Sequence, residues 1–118
     1  MKYMLLIYTD PNAYSSEPNY GEQMMKEYMA FSQAIEASGE LVAGDPLQGN
    51  ETATSVRVRD GRRATTDGPF AETKEHLGGY YIVDVTHLDR ALELAAQIPD
   101  ARTGVVEVRP LMEIPGMA

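Results

Sequence analysis

The chain has 118 residues, 43% of them apolar, with ten Lys and Arg against 18 Asp and Glu, a net charge of −8 and no cysteine. That length accommodates one domain, 1–118, with a real core, while the acidic balance repels phosphate backbones and anionic lipid, so neither nucleic acid nor membrane is an expected partner. Without thiols there are no disulfides, thiolate nucleophiles or Cys-based metal sites, and the apolar opening at 1–8 is too short for a signal peptide or a spanning helix, which makes a cytoplasmic location the expectation.

Residues 2–8, KYMLLIY, read as a strand apolar on both faces, with Tyr3, Leu5 and Ile7 on one side and Met4, Leu6 and Tyr8 on the other. Such a strand needs cover on both sides. A loop over 10–21, rich in Asp, Pro, Asn and Ser, precedes a helix whose Met24, Tyr28, Phe31 and Ile35 recur at helical spacing, with Met25 and Met29 beside them, up to a stop at Gly39. The methionines read as core filling. After a short apolar piece at 41–43 and a Gly-Asp-Pro turn, 54–59 and 62–66 flank Asp60-Gly61, a strong hairpin signal, with Arg57, Arg59, Arg62 and Arg63 on its exposed faces. Residues 79–85, GYYIVDV, form a second strand apolar on both faces, Tyr81, Val83 and Val85 opposite Tyr80 and Ile82. Thr86 and Asp89 make an Asp variant of the capping box for a second helix with the stripe Leu88, Ala91, Leu92, Ala95 and Ile98, ended by Pro99. A last strand spans about 103–109. The order β-α-β-β-β-β-α-β predicts an α+β fold, a ferredoxin-like split βαβ arrangement with an extra β-hairpin. Two helices cover one face of its sheet, and a second copy is the simplest cover for the other, so a homodimer is expected.

Residues 66–81, TDGPFAETKEHLGGYY, carry the most specific pattern. With the MKYMLLIY opening, the GGYYIVDV strand and the EVRPL ending, the chain resembles the DGPF subgroup of the YCII-related family. The resemblance implies a dimeric α/β barrel in which two ferredoxin-like sheets pair face to face. It also implies a pocket, since members of the wider group are small isomerases, decarboxylating or oxygenating enzymes and ligand-binding modules. Association of this subgroup with extracytoplasmic-function sigma factors makes a sigma factor or other regulatory protein a further implied partner, and a non-catalytic regulatory module the competing functional reading. Founding members of the wider family use a His–Asp pair with an early histidine. Here no histidine precedes His76, so the pair does not transfer as such; Asp67 matches its acidic member and His76 is the available substitute.

Read from the residues alone, Gly68, Pro69 and Phe70 are a structural turn: Gly68 held extended before proline, Asp67 capping the turn and Phe70 anchoring it in the core. Asp67, Glu72, Lys74, Glu75 and His76 gather ionisable groups at one place. If the segment after the turn is extended, Glu72, Lys74 and His76 share a side; if it is helical, Glu72 faces Glu75 and His76. Asp67 and His76 are accordingly the candidate catalytic acid/base groups, and Glu72, Lys74, Glu75 and Tyr80 the candidate substrate-binding groups, at a small-molecule pocket between the helices, the sheet and the DGPF loop. A solvated loop with Lys74 paired to a neighbouring glutamate is the plainer alternative. Two histidines, His76 and His87, eleven apart and without Cys or a helical H-x-x-x-H, are a weak metal signal, so no metal is expected, and no motif calls for a cofactor.

Overall fold

The computed structural model describes residues 1–13 and 18–116; part of the predicted loop at 10–21 lies outside these. A four-stranded antiparallel sheet is built from β1 (Lys2–Thr9), β2 (Leu41–Pro46), β5 (His76–Asp84) and β6 (Val105–Pro110) in the order β2-β5-β1-β6. Helices α1 (Tyr20–Ala37) and α2 (Leu88–Gln97) supply the crossovers, and β3 (Thr54–Arg59) with β4 (Arg62–Asp67) forms a separate two-stranded ribbon. This is the ferredoxin-like split βαβ topology with an added hairpin. The two strands apolar on both faces, β1 and β5, are the central pair. No described helix is long and apolar enough to cross a membrane.

Alternation in the central strands decides where the core sits. Tyr3, Leu5 and Ile7 of β1 and Tyr81 and Val83 of β5 are buried beneath Phe31 and Ile35 of α1 and Ala91, Leu94, Ala95 and Ile98 of the α2 region. Leu5, Ile35, Val83, Leu94 and Ile98 are fully buried, and each side chain of this kind contributes about 1.5–3 kcal/mol. The opposite face, with Met4, Leu6, Tyr8, Tyr80 and Ile82, carries no helix and is only half-buried.

Local signals explain most boundaries. Helix α1 ends in a Schellman motif: Gly39 takes φ +80°, its N–H bonds Glu36 O at 3.0 Å, and the Glu40 N–H bonds Ile35 O at 3.0 Å. In the hairpin Asp60 and Gly61 both have positive φ, +53° and +74°, as a type I′ turn requires. Four expectations are corrected. The α2 stripe runs through Leu94 rather than Leu88 and Leu92, which are 46% and 47% exposed, because the helix lies with its Ala91–Ala95 side on the sheet. His87 in extended conformation caps α2 without a side-chain bond, so no capping box forms at Thr86. Gly68 takes φ +92°, open to glycine alone, and is held by its N–H to Ala53 O at 2.6 Å and by Ser55 Oγ donating to its carbonyl at 2.8 Å. Phe70 does not anchor the core: it is 82% exposed.

Arg90 of α2 ties the helix to the start of β2 through a two-pronged contact with Glu40, at 2.8 and 2.9 Å. Hydrogen bonds from Arg90 and then Ser38 hold the Glu40 carboxyl down at about 2, from an ordinary 4.5. Because the folded value is depressed, this stabilisation is complete above about pH 4.5 and is lost as pH falls towards 2. Chemical denaturation across that window is expected to show Glu40→Gln about 1 kcal/mol less stable than wild type at neutral pH. The difference should close on acidification; a gap unchanged down to pH 2 would show that the pair does not stabilise the fold.

Candidate functional site

A cavity of about 830 Å³ opens between the first half of α1 and one end of the sheet. Its roof carries Met24, Met25, Tyr28, Met29 and Ser32 of α1, and its floor the glycine-rich ends of β2 and β5, with the 47–51 loop, Thr9 and Asp100 closing the sides. Met25 and Met29 are 63% and 55% exposed, and with Met24 all three helix methionines flank the cavity instead of filling the core.

Glycine creates the room. Gly44, Gly78 and Gly79 put bare backbone on the floor where side chains would otherwise rise towards the helix. A Cβ on Gly44 would lie 2.6 Å from Tyr81 Cδ1, and one on Gly79 would lie 3.0 Å from Asp45 O and 3.2 Å from Pro46 Cα. Gly78 has a second effect. The β1–β5 register passes from Ile7 opposite Gly79 to Tyr8 opposite Leu77, leaving Gly78 as a bulge. Beyond it the faces exchange: His76, which by simple alternation would share the open face with Tyr80 and Ile82, pairs with Thr9 and turns into the cavity.

Two hydroxyl pairs furnish the walls, and a third lies at the edge towards the open face of the sheet. Tyr28 donates to Asp100 Oδ2 at 2.5 Å, joining α1 to the 3₁₀ turn Pro99–Arg102. Burial and then this hydrogen bond push the Tyr28 phenol far above its ordinary range, which fixes it as a neutral hydroxyl. Tyr81 and Ser32 share a hydrogen bond of 2.6 Å, and the Tyr81 ring meets Phe31 edge-on with centroids 5.2 Å apart. Tyr80 donates to Asp45 Oδ2 at 2.9 Å, and accepting carboxylate oxygen raises this phenol as well. Asp45, Glu51 and Asp100 line the cavity, and among its described lining residues there is no Lys or Arg.

Of the predicted site residues, His76 and Tyr80 line this cavity; Asp67, Glu72, Lys74 and Glu75 do not. Asp67 closes β4 on the ribbon and is exposed, as are Glu72 and Lys74, and Thr73 Oγ1 donates to the backbone carbonyl of Glu75. The cluster seen in sequence is therefore split: the chain leaves the ribbon through an irregular stretch and re-enters the sheet only at His76, carrying this residue alone of the ionisable cluster into the cavity. Sequence reasoning missed Tyr28, Ser32, Asp45 and Asp100 as a set. Tyr28 and Asp100 are 72 positions apart, and no local pattern pairs them. The Gly78–Gly79 doublet was the available signal for a bulge. No group of three or more His, Asp or Glu able to hold a metal occurs among the described residues.

The fold and this cavity are those of a two-helix, four-stranded α+β protein with a pocket under its first helix. The chain belongs to the YCII-related domain family, which matches residues 1–115. Uncharacterized protein R00369 of Rhizobium meliloti (strain 1021) is 37% identical over 116 residues, covering 94% of this chain and 92% of that one. Among solved structures, the 5-chloro-2-hydroxyhydroquinone dehydrochlorinase (TftG) of Burkholderia phenoliruptrix AC1100, in complex with 2,5-dihydroxybenzoquinone, is similar in fold. Its TM-score is 0.52 at 14% identity, over 95% of this chain and 94% of that one.

Gly44→Ala tests the account of the floor. The added methyl must displace a Tyr81 ring held by Ser32 and Phe31, and overpacking of this kind costs about 1–3 kcal/mol. Thermal or urea unfolding should show that loss; wild-type stability would mean that the ring yields freely and the floor is not constrained.

Proposed function

We propose that the chain binds a small, flat organic molecule, neutral or positively charged, in the cavity beneath α1, and that His76 exchanges a proton with it in acid/base chemistry of an isomerase- or lyase-like kind. The observation that carries this reading is the composition of the cavity: about 830 Å³, apolar thioether and aromatic walls, one imidazole, three carboxylates and no described cation. The volume falls in the range of small-molecule sites. Methionine walls adapt to a planar body, while Asp100, with Tyr28 occupying one of its oxygens, keeps the other for a ligand hydroxyl or ammonium. Imidazole is the side chain most often used for proton transfer, and the bulge turns His76 towards that body. The dihydroxylated quinone held by the dehydrochlorinase of similar fold is a ligand of suitable size and shape, and supports the choice of ligand class. Asp67 takes no part in this reading.

The same proposal places two copies sheet to sheet through the half-buried Met4, Leu6, Tyr8 and Ile82, and puts the chain, with Asp67, Gly68, Pro69 and Phe70 in sequence, in the DGPF subgroup.

Calorimetry with a panel of hydroxylated quinones and phenols, ring amines and their carboxylated analogues tests the ligand class. Neutral and cationic members should bind, and each added carboxylate should weaken binding roughly tenfold or more. For a ligand that is turned over, His76→Gln should lower kcat by about 10²–10⁴ while leaving KM within a few-fold. Preference for the carboxylated members, or unchanged turnover in the variant, would overturn the reading.

A further inference from the structure

Both faces of the β3–β4 ribbon are bare. Of its twelve residues only Ser55 is other than exposed. Val56 and Val58, 58% and 61% exposed, share one face with Thr65 and Arg63; Arg57 and Arg59 share the other with Ala64 and Arg62. A lone two-stranded hairpin is marginally stable in water, and this one sets Arg59 directly opposite Arg62, a like-charge pair that weakens it further. None of its four arginines forms an ion pair among the described residues. Just past its base stands Phe70, 82% exposed. The radius of gyration, 16.5 Å, exceeds the about 13.5 Å of a compact chain of this length, consistent with an arm that leaves the body.

We infer that the ribbon is an intersubunit arm that docks on the acidic body of a second copy of this chain. The inference rests on the pairing of copies proposed above and adds a contact separate from the sheet face. Residues 54–67 hold four arginines and two aspartates, a charge of +2, so the other 104 residues carry −10 of the chain's total of −8. One molecule thus presents an unpaired basic arm with apolar valines and, elsewhere, a surplus of acid. A two-fold axis lets each copy give one arm and receive one, using the same two patches twice; an unrelated partner would satisfy only one of them. Six residues of strand reach about 20 Å, enough to cross a subunit boundary.

Sedimentation equilibrium of wild type and of the charge-reversed Arg57→Glu/Arg59→Glu/Arg62→Glu chain, at low and high salt, tests the arm. Wild type should be dimeric, and both added salt and charge reversal should raise the dimer Kd roughly tenfold or more. Because the chain has no cysteine of its own, a photo-crosslinker on Asp60→Cys reports where the arm tip lies. In mixtures of isotope-labelled and unlabelled chains, cross-links from the tip should join the two copies. A monomeric wild type would overturn both the pairing and the arm. A dimer whose Kd ignores charge reversal and salt, or whose tip cross-links stay within one copy, would overturn the arm and leave the sheet pairing standing.

Discussion

Two helices cannot cover both faces of a four-stranded sheet, and everything else in this molecule follows from how the chain meets that constraint. Strands β1 and β5 are apolar on both sides and sit in the centre. Their odd-numbered residues meet α1 and α2 and form the core, and their even-numbered ones form a second apolar surface without cover in the chain itself. A sheet of that kind is asymmetric by construction: one face is spent on folding and the other is available for association. The ribbon repeats this at smaller scale, since neither of its faces has a layer of the same chain against it.

The cavity arises from a departure within the covered face. Where β5 carries Tyr81 and Val83, side chains fill the space under the helices; where it carries Gly78 and Gly79, beside Gly44 of β2, they do not. Helix α1 stays at the height set by Phe31 and Ile35, so its amino-terminal half spans a void instead of sinking onto the sheet. The same Gly78 shifts the strand by one residue and turns His76 into that void. Room for a ligand and a titratable group facing it thus have one structural origin, and neither needs the DGPF turn.

This division explains what could be read in the sequence. Two-sided apolar strands, the Asp60-Gly61 turn and the Gly39 stop are local, and their consequences for topology were legible because a sheet admits few arrangements of such elements. Tyr80 and His76 were legible as candidates from residue type alone. The wall of the cavity was not: Tyr28 finds Asp100, and Ser32 finds Tyr81, through packing of elements far apart in sequence. Proximity in sequence misled at Asp67, Glu72, Lys74 and Glu75, where clustered charge belongs to the ribbon's end and the irregular segment beyond it. Phe70 misled for a related reason. Its hydrophobicity argues for burial, but it stands in the irregular stretch between the ribbon and β5, away from the face of the sheet that the helices cover.

Charge is distributed unevenly enough to bear on what the cavity can hold. The phenol of Tyr28, kept neutral by burial and by Asp100, adds no charge to that of the carboxylates around it, and no described wall residue supplies a compensating cation. A ligand entering the cavity loses hydration, so an anion would face both desolvation and like charge. A neutral ring loses little on entry and gains dispersion contact with the methionines, which is why the proposed ligand is uncharged or cationic.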